Sequence, residues 1–207
     1  AESWEEVLVW AEEFMDSIYQ IKDEFLTIKG RLDGKDLDVV MCRKEGYYTD
    51  SRRPDNVLPG SLLDDLSRRD FTINALAVPY GRPFEEAIDY FGGVQDLDRR
   101  LIRCVGKTKD RFDEDPLRLL RAFRFAITLG FDVHPEIESF LDDHESVLRI
   151  LTSVKSDRIR EELSKCFRFD TEATIGYFAK FPKMISLFSH IAKDSPPIWL
   201  MPTTRIR

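Results

Sequence analysis

The dipeptide Asp115-Pro116, taken with Gly130, is the feature that most constrains the fold of this chain. Proline suits the first position of a helix, where its missing N–H would have no intrahelical partner, and the residue before it is pushed out of the helical region. Asp115 is therefore expected as the N-cap of a helix over residues 116–129 that stops at Gly130. Along it Leu119, Leu120, Phe123, Ala126 and Ile127 gather on one face, while Arg118, Arg121 and Arg124 line another and share a side with Asp115. One face belongs to a core; the other carries charge.

From Gly106 onward the pattern is helical, with further helices expected over 135–142, 157–167 and 171–181. Earlier it is mixed. Ser3-Trp4-Glu5-Glu6 is a capping box, and Trp4, Val7, Leu8, Ala11, Phe14, Met15 and Ile18 recur at helical spacing, predicting a helix over 4–19. Residues 25–32 and 36–43 read as strands joined at Asp33-Gly34, a two-residue hairpin turn whose register sets Lys29 opposite Asp38 and Arg31 opposite Asp36. A short helix over 61–69 leads into a strand over 72–78, and Tyr80-Gly81-Arg82 turns the chain into a partner strand over 84–89. The class is α+β: mixed sheet and helix over 1–105, then an all-α part over 106–207, with a boundary near Val105. No internal repeat is visible.

Length and composition, 207 residues with 43% hydrophobic and 33% charged, suit a soluble protein with a buried core. Cys42, Cys104 and Cys166 are isolated, in neither metal-ligand spacing nor an even count, so a reducing compartment is expected, cytoplasm or organelle matrix. No apolar run reaches membrane-spanning length and no signal-peptide pattern opens the chain. A net charge of −7 argues against indiscriminate nucleic-acid binding, so any basic surface must be local. Between Arg149 and Arg168 the basic residues, among them Arg158, Arg160 and Lys165, outnumber Asp157, Glu161 and Glu162; they could follow an RNA backbone or form a solvated helix face.

A carboxylate only accepts hydrogen bonds and a guanidinium only donates. Asp115 beside Arg118 can therefore match the Watson-Crick edge of C or A, accepting from the amino group and donating to the ring nitrogen; the same two residues could simply be an N-cap and an i,i+3 ion pair. Arg68, Arg69 and Asp70 sit where a helix meets a strand. Arginine forks suit phosphate and a carboxylate can accept from ribose hydroxyls, though an ion-pair cluster at a helix end is the plainer alternative. Asn74 is either a structural hydrogen-bonder or a ligand. His134, His144 and His190 form no His-Asp metal pair, which leaves phosphohydrolase chemistry little support.

Four segments stand in order: Glu45-Gly46-Tyr47-Tyr48-Thr49-Asp50-Ser51-Arg52-Arg53-Pro54-Asp55; the stretch from Arg68 to Val78; Asp89-Tyr90-Phe91-Gly92-Gly93 with Arg103; and the stretch from Glu114 to Arg121. Together, over roughly residues 25–165, they resemble the class II tRNA nucleotidyltransferase and bacterial poly(A) polymerase family. The resemblance implies a polymerase-β-like nucleotidyltransferase head lacking its first strands over 1–105. A helical neck and start of body over 106–207 would select the nucleotide and bind RNA. It implies template-independent addition of C and/or A to tRNA 3′ ends from CTP and ATP with Mg2+, or ATP-only poly(A) synthesis. Asp115 and Arg118 would read the base, with Arg121 and Arg124 beside them. Arg68, Arg69 and Asp70 would contact ribose and triphosphate, with Asn74 and Arg111 as further candidates. Asp89, Gly93 and Arg103 match a hinge element, Asp-x3-Gly-x9-Arg, coupling the nucleotide site to movement of the head.

One element of that family is not found. Its metal-binding Asp-x-Asp follows a glycine turn and an Arg-Asp, and no such turn precedes the strand here. Asp36-Leu37-Asp38 is the nearest candidate, with both carboxylates on one face of a strand. Its position resembles the family's third-carboxylate strand. Asp38 is thus expected as a metal ligand and Asp36 as a further candidate, with cross-strand ion pairing as the alternative. Without a starting Met and short of the helical body, the chain reads as cropped at both ends. A missing segment or second chain would supply the Asp-x-Asp, and a non-catalytic or split homologue that binds nucleotide and RNA is the alternative.

Overall fold

A computed structural model describes residues 3–45 and 57–191. The stretch from Gly46 to Asp55, the heart of the first family-like segment, lies outside the described residues, as does Pro196-Pro197. The chain packs as two compact units, Ala1–Arg68 and Arg69–Arg207, which divide it earlier than the boundary expected near Val105.

In the first unit, helix α1 (Trp4–Phe14) starts at Ser3, whose hydroxyl accepts the Glu6 N–H at 3.2 Å. It ends sooner than its apolar spacing suggests. Met15 is extended, and Ile18, expected on the helix, enters strand β1 (Ser17–Lys22), which pairs antiparallel with β2 (Thr27–Leu32). The segment Ser-Ile-Tyr-Gln-Ile is rich in β-branched and aromatic side chains, and the partner strand decides between the two periodicities. Strand β3 (Lys35–Val40) completes the sheet in the order β1-β2-β3. Asp33 and Gly34 both take positive φ, 50° and 72°, as the two-residue hairpin turn requires. The expected register holds: Lys29 faces Asp38 and Arg31 faces Asp36. Val7 and Ala11 of α1, with Met15 just after it, pack with Ile28. Gly30 permits that packing, since a Cβ there would lie 2.3 Å from the Ser17 carbonyl oxygen. Phe14, expected on this core face, is instead 53% exposed. Strands β4 (Arg43–Glu45) and β5 (Val57–Pro59) pair, and α2 (Leu62–Ser67) opens on a capping box between Ser61 and Asp64.

In the second unit the long strands expected over 72–78 and 84–89 shrink to β6 (Leu76–Ala77) and β7 (Ile88–Asp89), each preceded by a 3-10 turn. Thr72–Asn74 and Phe84–Glu86, expected as strand, spend their backbone hydrogen bonds on those local turns instead of on the ladder. Then come α3 (Gly93–Asp98), β8 (Leu101–Ile102), α4 (Thr108–Glu114), α5 (Leu117–Leu129), β9 (Asp132–Val133), α6 (Pro135–Leu141), α7 (His144–Ser153), α8 (Ser156–Phe169), α9 (Thr171–Lys180) and α10 (Ser186–Ile191). Strand β9 pairs parallel with β8. Helix α5 stops at Gly130 in the left-handed conformation, φ 66°, as the sequence requires. Its apolar face, with Leu119, Leu120, Phe123 and Ala126 almost fully buried, packs against Ile159 and Leu163 of α8 and Phe178 of α9. Phe123 and Tyr177 meet edge to face, their centroids 5.7 Å apart. The whole is α+β, and among the described residues no helix is long and apolar enough to cross a membrane.

Candidate nucleotide site

Asp70 anchors the site in the second unit. It is nearly buried, and one carboxylate oxygen accepts from the Phe71 N–H (3.0 Å) and the Asn74 amide (3.3 Å). The other oxygen accepts the Arg121 fork from α5 at 2.7 Å. The backbone beside it is fixed too: Val105 donates to the Asp70 carbonyl and Thr72 to the Arg103 carbonyl. Arg69 donates to the Asn74 carbonyl at 3.0 Å. In the first unit, Arg68 pairs with the buried carboxylate of Asp65.

Helices α4 and α5 meet at Asp115-Pro116. Asp115 is extended, φ −144° and ψ 102°, and its Oδ1 accepts the Leu117 N–H at 3.0 Å, capping α5 as expected. Its Oδ2 receives Arg158 of α8 at 3.1 Å. The i,i+3 pair between Asp115 and Arg118 does not form. Arg118 joins Arg111 on Glu114 instead, each at 2.6 Å, and also donates to the Arg111 carbonyl. Arg124 pairs with Glu162 at 2.5 Å, its guanidinium 4.0 Å above the Phe125 ring. The three arginines of α5 thus each hold a different carboxylate. Burial pushes the Glu162 carboxyl up, but the hydrogen bonds and charges of Arg124 and Lys165 outweigh it and hold the group below its ordinary range.

The structure brings Asp89, Gly93 and Arg103 together. Asp89 accepts the N–H groups of Phe91, Gly93 and Val94 at the start of α3, and these donors, outweighing the upward push of burial, lower its carboxyl. Gly93 sits against the Thr72 carbonyl, 2.2 Å from where a Cβ would stand. Arg103 reaches the buried Asp96 and the Phe91 carbonyl, and Thr72 donates to the same Asp96 oxygen at 2.5 Å.

The basic residues expected to follow RNA are engaged with carboxylates: Arg158 with Asp115, Arg160 with Asp157, Lys165 with Glu161 and Glu162. Glu114, Asp96 and Glu162 are the residues that sequence reading missed. The available signal was spacing, since Glu114 lies four residues before Arg118 and Glu162 three before Lys165.

Asp36 and Asp38 take the ion-pair alternative. Asp38 meets Lys29 at 2.6 Å and Asp36 meets Arg31 at 3.3 Å, with the two carboxylates 56% and 75% exposed. Each already faces a cation, and among the described residues no group of three or more His, Cys, Asp or Glu could hold a metal ion. Mg2+ is commonly held by one or two carboxylates together with waters and phosphates, and to serve it Asp38 and Asp36 would have to leave Lys29 and Arg31.

Residues 6–103 match the poly A polymerase head domain. The CCA-adding enzyme of Lactobacillus gasseri is 42% identical over 140 residues, 67% of this chain and 34% of that protein, so the chain spans about a third of the length of the curated relative it matches. The solved CCA-adding enzyme of Bacillus stearothermophilus in complex with CTP aligns with TM-score 0.64 and 28% identity, covering 86% of this chain and 44% of that one. A tRNA nucleotidyltransferase complexed with a primer tRNA and an incoming ATP analog aligns with TM-score 0.69 and 29% identity, covering 90% and 51%. Residues 6–103 thus carry the poly A polymerase head domain, and the chain is similar, there and beyond, to CCA-adding tRNA nucleotidyltransferases.

Proposed function

We propose that this chain is the nucleotide-selecting portion of an enzyme that adds C and A to the 3′ end of tRNA from CTP and ATP, working in the cytoplasm or an organelle matrix. Residues 1–105 would serve as its head and 106–207 as its neck and start of body. The observation that carries the reading is the entry to α5. There Asp115, an acceptor just before the helix, and Arg118, a donor in its first turn, stand three residues apart, and the next turn fixes Asp70 through Arg121. Asp115 would accept from the amino group at C4 of cytosine or C6 of adenine, and Arg118 would donate to the adjacent ring nitrogen, with no template strand needed. Uracil and guanine present a carbonyl where the amino group should be, and fail. Arg68, Arg69, Asp70, Asn74 and Arg111 would hold ribose and phosphates, and Asp89, Gly93 and Arg103 would form the hinge.

Nucleotidyltransferases of this family work with a divalent metal, which neutralises phosphate charge and activates the attacking hydroxyl. The described residues of this chain do not assemble its site. A missing segment or second chain would supply it, and no step is assigned to Asp36 or Asp38.

Equilibrium binding of the four ribonucleoside triphosphates to the whole chain tests the selecting role. CTP and ATP should bind at least tenfold tighter than UTP and GTP, and Asp115→Ala should erase the difference; equal binding of all four defeats the reading. Incorporation into a tRNA ending before its CCA separates the reactions: ordered C then A marks the CCA-adding activity, and repeated A without C marks poly(A) synthesis.

A further inference from the structure

Asp96 of α3 is only 1% exposed, and neither the base-reading pair nor the proposed hinge residues include it. Its Oδ2 accepts three donors: the Thr72 hydroxyl at 2.5 Å, and Nε and Nη2 of Arg103 at 2.9 and 2.8 Å. Taking a carboxylate out of water is costly, and an apolar side chain would pack α3 against its neighbours without that cost. What a charged acceptor adds is direction, since hydrogen bonds to an ionised group are short, strong and dependent on angle.

That direction is imposed on Thr72, two residues from Asp70. Thr72 is fully buried and held on three sides. Its N–H donates to the Arg103 carbonyl at 2.9 Å, its hydroxyl donates to Asp96, and its carbonyl lies against Gly93, 2.2 Å from where a Cβ would stand. From Thr72 the chain runs through the 3-10 turn Thr72–Asn74, and the Asn74 side chain reaches back to Asp70 at 3.3 Å. The Asp70 carboxylate is thus fixed from α5 by Arg121, and the backbone that carries it is fixed from α3 through Thr72. A ribose hydroxyl would join the oxygen that the Asn74 amide now holds, the longest of the Asp70 contacts. We propose that Asp96 is a positioning residue for sugar recognition. By holding Thr72 it sets the Asp70 carboxylate where it accepts from a ribose 2′-hydroxyl, so that ribonucleotides bind in preference to deoxyribonucleotides. This role rests on the reading of Asp70 as the sugar contact.

Equilibrium binding of CTP, 2′-deoxy-CTP and UTP to the whole chain tests it, in the parent and in Asp96→Asn, Thr72→Val and Thr72→Ser. The parent should bind CTP about tenfold tighter than 2′-deoxy-CTP, the worth of one hydrogen bond to a charged group. Asp96→Asn keeps the shape and removes the charge. It should bring the two sugars toward equal affinity while CTP stays ahead of UTP, because Asp115 and Arg118 are untouched. Thr72→Val cuts the link but leaves Asp96 paired with Arg103, so it should do the same even if Asp96→Asn does not fold. Thr72→Ser, which keeps the hydroxyl, should keep the sugar preference. A residue that only packs would lower the melting temperature and weaken all three ligands by one factor. The assignment to Asp96 is overturned if both Asp96→Asn and Thr72→Val, folded by circular dichroism, retain the parent's sugar ratio, or if they lose sugar and base preference together. A parent that binds both sugars alike removes Asp70 from the sugar and Asp96 with it, whereas its preference for CTP over UTP judges the base-selecting role separately.

Discussion

Asp70 and Arg121 lie 51 residues apart in sequence and meet in space, with Nε and Nη2 of the arginine both 2.7 Å from one oxygen of the carboxylate. Arg121 comes from α5, the helix that also carries Arg118 and is capped by Asp115. The carboxylate proposed for the sugar and the pair proposed for the base therefore all touch one helix.

Removing Arg121 should expose how much this anchor holds. In Arg121→Ala, Asp70 keeps the Phe71 and Asn74 donors but loses its cation in a nearly buried setting. Breaking a fully buried pair costs ~3–5 kcal/mol; with Arg121 one-third exposed, a loss of about 2 kcal/mol is expected. Urea unfolding of both single variants and of the Asp70→Asn, Arg121→Ala double variant measures it. Additive losses, with no coupling between the two sites, would contradict the pairing.

Two glycines make opposite forecasts. Gly93→Ala would drive a methyl group into the Thr72 carbonyl, backbone that cannot swing aside, at a cost of about 1–3 kcal/mol. Gly176, inside α9, has nothing within 4 Å of its would-be Cβ, so Gly176→Ala should stabilise by about 0.5–1 kcal/mol through helix propensity and a stiffer unfolded chain. Thermal melts of the pair decide it: a Gly93→Ala protein as stable as the parent means that the backbone at the α3 entry gives way to the added methyl group.

Much of this was legible in the residues. Asp115-Pro116 and Gly130 delimited α5 because both ends rest on local backbone constraints, and Asp33-Gly34 set the hairpin register because only φ > 0 residues make that turn. What failed was whatever a partner element decides. Ile18 continues the helical spacing of α1 yet enters β1, since a strand edge was available to it. Phe14 looked like core and faces out, because only one stripe of α1 meets the sheet. Ion pairs between distant segments were the least legible: Lys29–Asp38 and Arg31–Asp36 followed from the hairpin register, but Arg158 finds Asp115 across 43 residues, and no spacing rule reaches that far.

Acid should act through a small set of carboxylates. Asp89 and Glu162 both have folded values held below their ordinary ones, by backbone N–H donors in the first and by Arg124 and Lys165 in the second, against the upward push of burial in each. The sign follows from linkage: a depressed carboxylate contributes stability that is fully present above its unfolded value and is lost as pH falls through the folded one. The melting temperature should hold from neutral pH down to about 4.5, the ordinary value for Glu162, and fall below it. Glu162→Gln should be less stable at pH 7 and show a shallower acid slope. An identical slope in parent and variant would remove Glu162 from this account.

Arg158 offers the sharpest handle on selection. Asp115 can read a base only if its carboxylate is held in one orientation, and two contacts hold it: the Leu117 N–H on Oδ1 and Arg158 on Oδ2. Losing one charge-assisted contact frees a rotation about the side chain without removing the acceptor. Arg158→Ala should therefore leave Asp115 chemically intact but poorly aimed. The pair is partly exposed, 30% and 24%, so global stability should change by no more than about 1 kcal/mol. Binding of CTP and ATP should weaken about tenfold, and preference over UTP and GTP should narrow. Arg158→Lys, which keeps the charge but not the fork, should recover part of both. A purely structural residue would lower the melting temperature without altering the ratio of CTP to UTP affinity. An unchanged ratio in Arg158→Ala, with nucleotide binding otherwise intact, would mean that the backbone cap alone orients Asp115.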